Sequence, residues 1–358
     1  MLDFVVIGGG IAGISVAARL AQHGSVVVLE AEEALGYHAT GRSAALFEEN
    51  YGLPSTVALN RASRDYLMTA NGGVLKPRGL MLVAGTADED QFQTDVAAMG
   101  IPEISLDDAL ARVPILRPDR LVRAAFHDDA WDIDSDLLVQ NFARGIRASG
   151  GEIKTRARVS RLVKIQAGWR VQFGDTSVNG RVVVNAAGAW ADEIAKMAAV
   201  RPVGLTPLRR SMARLPAPDN YDVSKWPMTL GAGEAWYAKP DAGHLLVSPG
   251  DEDPCDPHDA WADDMVIAEG LARYEEMVTE PVTRVDVTWA GLRTFSPDRC
   301  LVIGADPDEP SFFWCAGQGG YGVQSAPAVA DCLAAQIAGI PPRLPPDVLS
   351  ALSPSRFR

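Results

Sequence analysis

Nearly every position from residue 2 to residue 7 is apolar, with Val5, Val6 and Ile7 in succession. A continuous apolar run of this length predicts a strand buried on both faces, as in a parallel sheet. Glycines interrupt it, and residues 14–23 then place Val16, Ala17 and Leu20 at helical spacing. Gly24 ends that helix before a second apolar run, residues 26–29, which closes on Glu30. Strand, helix and strand make a βαβ unit.

Further along, the pattern is more broken. Residues 34–51 are rich in Gly, Thr, Ser and Arg, which predicts a functional loop and no strand. Residues 81–83 read as strand and residues 107–113 as a helix stopped by Pro114. The spacing of Leu137, Leu138, Phe142 and Ile146 predicts a helix over 135–149, with Ser135 as N-cap and Gly150 and Gly151 as its stop. Alternation over 157–165 and 169–173 predicts a hairpin leading into a third apolar strand, 181–187. Residues 205–286 read as strands separated by Pro and Gly plus one helix, 265–277, a separate antiparallel layer. A strand at 312–315, a glycine turn at 317–322 and a helix at 325–337 restore the α/β pattern, and no internal repeat is visible.

A chain of 358 residues, 47% hydrophobic and 22% charged, is long enough for about two domains and excludes a disordered or fibrous protein. The 46 acidic against 33 basic residues leave a net charge of -13, which argues against nucleic acid or anionic membrane partners. Cys255, Cys300, Cys315 and Cys332 contain no CxxC pair, so buried free thiols are expected and no metal site is written. The start lacks the basic segment of a signal peptide and no apolar stretch is long enough to span a bilayer; a cytoplasmic protein is expected.

Gly8, Gly10 and Gly13 form a GxGxxG turn between strand and helix, with Glu30 at the tip of the next strand. The first glycine permits the tight turn, the second a close approach of backbone to pyrophosphate, and the third the packing of helix on strand. The helix N-terminus faces the phosphate charge and Glu30 the adenosine ribose hydroxyls. An adenine dinucleotide is the ligand these features predict.

A second strand and glycine turn, Val182 to Trp190, and a third glycine cluster, Gln318 to Gln324, extend the pattern. Together they resemble the glycine/D-amino acid oxidase family of FAD flavoproteins over nearly the whole chain. Five blocks are most similar to its D-arginine dehydrogenases: Gly36-Tyr-His-Ala-Thr-Gly-Arg-Ser-Ala-Ala45, Val184-Asn-Ala-Ala-Gly-Ala-Trp190, Tyr237-Ala-Lys-Pro-Asp-Ala-Gly243, Trp289-Ala-Gly-Leu-Arg293 and Gln318-Gly-Gly-Tyr-Gly322. The resemblance implies an α/β fold: a Rossmann-like FAD-binding domain (1–76, 133–204 and 290–358) interleaved with an α+β substrate domain on an antiparallel sheet (77–132 and 205–289). It implies cofactor contacts from Ile11 and Ala12 beside the three glycines, from Glu30 and Ala31, and from Arg42, Ser43 and Ala44. Val159, then Ala187, Gly188 and Trp190, would follow, with Gly291 and the run Gly319, Gly320, Tyr321, Gly322, Val323 and Gln324 beside the flavin ring. No cysteine falls in Ala290 to Arg293, where relatives attach flavin covalently, so FAD is expected to be non-covalent.

Oxidation of an amine by flavin needs a carboxylate clamp and an aimed α-hydrogen; the hydride chemistry belongs to the cofactor. Arg293, interrupting an apolar WAGL segment, and Arg210 are the candidate clamp, while Arg209 reads as a surface residue. The resemblance adds Tyr51 and Tyr237. It fails at Leu46 and Leu80, where the D-arginine dehydrogenases carry a histidine and the glutamate that holds the cationic tail. A guanidinium against two leucines is costly, so uncharged side chains are expected unless Glu48 or Glu49, read as a solvated loop, turns inward. Leu245 or Leu246 falls where oxidases place an oxygen-assisting lysine, which favours a quinone or carrier over oxygen as electron acceptor.

The reading is therefore oxidative deamination of small-molecule D-amino acids, the imino acid hydrolysing to 2-oxo acid and ammonia. The alternatives are a 2-hydroxy acid dehydrogenase, a sarcosine-type N-methyl amino acid oxidase, and a flavin-binding subunit or accessory protein of tRNA modification that uses the fold without this chemistry. The acidic charge counts against RNA.

Overall fold

The computed structural model describes residues 1–358. Its first sheet follows the order Val302–Ala305, Phe312–Ala316, Thr176–Asn185, Leu2–Ile7, Val26–Leu29, Glu152–Lys154. The four pairings from Phe312–Ala316 to Glu152–Lys154 are parallel, and Val5, Val6 and Val28 are fully buried between layers, which is why these strands read as unbroken apolar runs. One face is covered by Ile11–Leu20, Ser135–Ala148, Gly322–Ile337 and Pro54–Thr69. The other carries the antiparallel pair Val159–Ile165 and Gly168–Phe173 with the helix Ala191–Met197.

The second sheet runs Asp253–Pro254, Thr206–Pro216, His244–Ser248, Tyr237–Asp241, Met228–Gly231, Leu80–Ala84, Arg123–His127, with Val287–Phe295 paired along Thr206–Pro216. It is antiparallel except where Met228–Gly231 meets Leu80–Ala84 in parallel. Those two strands come from distant parts of the chain, so no hairpin dictates their direction. A small sheet of Leu46–Glu48, Ala130–Ile133 and Leu75–Pro77 lies between the two. No helix is long and apolar enough to cross a membrane.

The chain departs from the sequence expectations at several points. Residues 34–51 are not all loop, because Leu46–Glu48 forms a strand. Asp134, not Ser135, caps the helix Ser135–Ala148, its carboxylate accepting from the Leu137 N–H at 2.9 Å. Two further helices, Pro54–Thr69 and Glu89–Met99, carry no strong apolar stripe: the first buries Ser55, Thr56, Asn60 and Ser63 beside Leu59 and Leu67, the second only Phe92. All four cysteines are free; Cys315 and Cys332 are buried, whereas Cys255 and Cys300 are only partly so. Burial pushes the Cys315 thiol up to about 12, which leaves it protonated and inert.

Candidate active site

The glycine turn sits as its spacing predicts. A Cβ on Gly13 would lie 2.0 Å from the Gly8 carbonyl oxygen, and Gly8 itself has φ +108 with the Ala186 carbonyl oxygen 2.3 Å from a Cβ position. Both glycines are demanded by the protein's own backbone. Gly10 differs, because its Cβ position meets only Thr40 Oγ1 at 3.3 Å and otherwise faces open space at the helix N-terminus. Thr40, which sequence reasoning missed, accepts from the Ile11 N–H at 3.1 Å. Glu30 is buried at the strand tip, accepting from the N–H groups of Gly9 at 2.5 Å and Glu32 at 2.8 Å.

From this turn a cleft of about 390 Å3 runs between the two sheets. Gly8, Gly10, Ile11, Ala12, Glu30 and Ala31 line its first part, followed by Arg42, Ser43, Ala44 and Val159. Ala187, Gly188, Trp190 and Gly291 continue it, and Gly319, Gly320, Gly322 and Val323 close the far end. Gly13 and Tyr321 lie off the wall, and Gln324 lines the adjoining pocket. Arg42 spends its guanidinium on structure, donating to the carbonyls of Ala260 (2.8 Å) and Ala290 (2.9 Å) and pairing with Asp259. No cysteine lines the cleft.

A smaller pocket of about 70 Å3 opens beside the far end. Ser43, Ala44, Tyr237, Arg293, Gly320 and Val323 face both cavities, so the pocket is the cleft's continuation. Leu46, Leu80, Met99, Met228 and Leu230 form its apolar wall, with Glu48, Tyr51 and Glu234 as further polar members. Arg210 lines the cleft but not this pocket. Asn60 fixes the loop that carries Tyr51, donating to the carbonyls of Glu49 (3.2 Å) and Tyr51 (3.1 Å).

The cations meet on a residue that sequence reasoning missed. Glu234 accepts a hydrogen bond from Tyr51 Oη, and its Oε2 lies 3.3 Å from Arg210 Nη1 and 3.9 Å from Arg293 Nη1. Burial disfavours its charge, but Arg293, Arg210 and Tyr51 outweigh that and hold its carboxyl below the ordinary range. Burial and Glu234 in turn push the Tyr51 phenol well up, so it stays a donor. Burial opposes the Arg293 charge, and the Glu234 carboxylate 3.9 Å away offsets it. Arg210 is further tied to the Asp251 carbonyl at 2.9 Å and to Glu252 at 3.3 Å. Glu234 ends the turn Gly231-Ala-Gly-Glu234 with φ +54, a conformation uncommon outside glycine.

The remaining candidates separate cleanly. Arg209 is not a free surface residue, since Asp253 at 2.8 Å and Asp251 at 3.5 Å pair with it. Glu49 faces outward to Arg61 and Arg64, each at 3.1 Å, whereas Glu48 is 3% exposed and faces the pocket. Leu245 and Leu246 are core residues, while Lys239 is buried and donates to the Ala44 carbonyl at 2.5 Å and to Asp132 at 3.0 Å.

A glycine turn at a helix N-terminus, an acid at the next strand tip, and a long cleft ending in a cationic pocket define an FAD-dependent oxidoreductase. The chain belongs to the DAO family, the FAD dependent oxidoreductases, whose family model matches residues 3–336. It is 27% identical to the tRNA 5-methylaminomethyl-2-thiouridine biosynthesis bifunctional protein MnmC of Ralstonia nicotianae, over 99% of this chain and 60% of that protein's length. Among solved structures it resembles L-proline dehydrogenase from P. horikoshii (TM-score 0.86, 21% identity, 99% of this chain and 97% of that one). Glycine oxidase from Geobacillus kaustophilus is comparably similar (TM-score 0.85, 19% identity, 99% and 98%). FAD is the cofactor, and the open space at Gly10, Glu30 at the strand tip and the glycine-lined far end fit it.

Proposed function

We propose that this chain oxidises the carbon–nitrogen bond of an α-amino acid whose carboxylate is held by Arg293, Tyr51 and Tyr237. The observation that carries this reading is that Arg293 and Tyr237 face both the FAD cleft and the smaller pocket. A carboxylate bound there lies at the junction of cofactor and substrate space. Bound FAD supplies the acceptor for two electrons and the α-hydrogen. The protein's part is orientation: a planar guanidinium and phenol donors fix the carboxylate, and Leu46, Leu80, Met228 and Leu230 exclude water around the side chain. Glu234 already occupies the clamp's positive field, so the incoming carboxylate shares or displaces it, and Arg210 serves as Glu234's anchor.

The substrate hand we favour is D, with uncharged side chains ahead of D-arginine, the imino product hydrolysing to a 2-oxo acid and ammonia. Leu80 is buried and faces the pocket where the D-arginine dehydrogenases carry an acid; Glu48 does turn into this pocket, but it lies against His127 at 2.8 Å, so a guanidinium there meets no carboxylate free of a cation. No cysteine lines the cleft, which supports non-covalent FAD. A second reading, oxidation of an amine carried by tRNA, is favoured by the MnmC likeness and opposed by the net charge of -13.

Anaerobic mixing with D- and L-amino acids, N-methyl amino acids, 2-hydroxy acids and tRNA bearing an aminomethyl group decides between these readings, because only a substrate bleaches the flavin absorbance. We expect bleaching by neutral D-amino acids. Leu80→Glu is expected to raise kcat/KM for D-arginine and lower it for D-leucine; a wild-type preference for D-arginine over every neutral D-amino acid would overturn the specificity.

A further inference from the structure

The strand Leu46–Glu48 sends alternate side chains to opposite faces. Phe47 is fully buried in the core, while Leu46 and Glu48 face the pocket. Glu48 is thus the acid set into the pocket's apolar wall. Its Oε1 accepts from the Asn50 N–H at 3.0 Å, which orients the carboxylate, and its backbone N–H donates to Gln324 Oε1 at 2.9 Å, which holds the strand. Oε2 is different. His127 Nε2 lies 2.8 Å from it, but off the line of a hydrogen bond, so both atoms are buried without one.

His127 is the strand partner of Leu80, which places Oε2 beside the Leu80 wall. Its only ion-pair partner is His127; no arginine of the clamp reaches it. A carboxylate oxygen can accept more than one hydrogen bond, so Oε2, in contact with His127 Nε2 alone, keeps acceptor capacity for a donor that enters the pocket wall. We propose that Glu48, backed by His127, is the specificity-determining acceptor for substrates whose uncharged side chain ends in an O–H or N–H donor, such as a hydroxyl or a carboxamide. This assignment rests on the amino-acid reading above.

The charges around the pair explain why an uncharged donor fits better than a cation. Burial pulls the His127 imidazolium down, but Glu48, Asp129 and Asp128 more than reverse this and leave its pKa raised. Asp129 is itself paired with Arg64 at 2.6 Å, and Glu49 with Arg61 and Arg64. When His127 carries a proton, it and the Glu48 carboxylate 2.8 Å away make a pair with no net charge. A neutral donor adds a hydrogen bond to Oε2 without disturbing that balance. An ammonium or guanidinium brings a second cation against the imidazolium in a part-buried space.

The test uses near-isosteric substrate pairs with the FAD-loaded enzyme: D-threonine against D-valine, and D-asparagine against D-leucine, with the L-pairs run alongside. Wild-type kcat/KM is expected to favour the donor member of at least one pair by about tenfold or more, since a site built around a substrate hydroxyl or N–H discriminates strongly against its absence. Glu48→Leu should abolish or invert that ratio. Glu48→Gln, nearly the same shape, should lower it while keeping flavin content, which covers the case in which Glu48→Leu does not fold. A ratio unchanged between wild type and Glu48→Gln, or no donor preference in wild type, overturns the role of Glu48 and leaves amino acid oxidation standing. If no amino acid of either hand bleaches the flavin, the amino-acid reading falls and this assignment falls with it.

Discussion

Replacing Arg293 by alanine is expected to lower kcat/KM by about one and a half to more than three decades while FAD stays bound. The estimate takes about 2 to 5 kcal/mol for losing one partner of a buried, charge-assisted pair. Arg293 lies between the two cavities, with the Glu234 carboxylate 3.9 Å away to offset its buried charge. Its removal takes away the bidentate donor and leaves Glu234 facing the substrate carboxylate with only Arg210 to neutralise it. Arg210→Ala should act differently, raising KM more than it lowers kcat, because Arg210 reaches the pocket through Glu234. Steady-state kinetics beside the flavin-to-protein ratio check both variants. An unchanged kcat/KM for Arg293→Ala would show that the substrate carboxylate binds elsewhere.

The second large effect is expected at the glycine turn, where neighbouring glycines separate cofactor binding from folding. Gly10→Val should give a folded protein that has lost its yellow colour. The Gly10 Cβ position touches only the end of Thr40, so the added side chain fills space meant for pyrophosphate and displaces little of the protein. Gly13→Val should fail to fold, since its Cβ would sit 2.0 Å from a backbone oxygen. Circular dichroism, flavin absorbance and identification of the released flavin as FAD or FMN separate the outcomes. Full flavin content in Gly10→Val would rule out the placement of the pyrophosphate at this turn.

What was legible in the chain was whatever local sterics and unbroken apolar runs dictate. The first βαβ unit declares itself because strands buried on both faces need continuous Val and Ile, and because Gly8 and Gly13 answer to backbone a few residues away or across one strand. Pro54–Thr69 was illegible since it packs on Gly322–Ile337 through small and polar residues, which leave no apolar period. Glu48 and Glu49 could not be told apart, because a three-residue strand is too short to show alternation. Glu234 was hidden for another reason: Tyr51, Arg210 and Arg293 converge on it from three distant segments, and nothing in its own neighbourhood encodes that meeting.

The strand order of the first sheet also bears on how the protein is made. Leu2–Ile7 has Thr176–Asn185, made much later, as one of its two neighbours, and that strand in turn waits for Phe312–Ala316. At about 5 to 20 residues per second, the first strand waits on the order of 15 to 60 seconds before the sheet can close. Throughout that interval a nascent chain displays an apolar strand with an open hydrogen-bonding edge, the kind of surface that pairs with other chains. Gly319, Gly320 and Val323, which close the far end of the FAD cleft, are synthesised later still. The cleft for the cofactor is therefore complete only once the chain has been made as far as Val323, about 300 residues after the glycine turn at its other end.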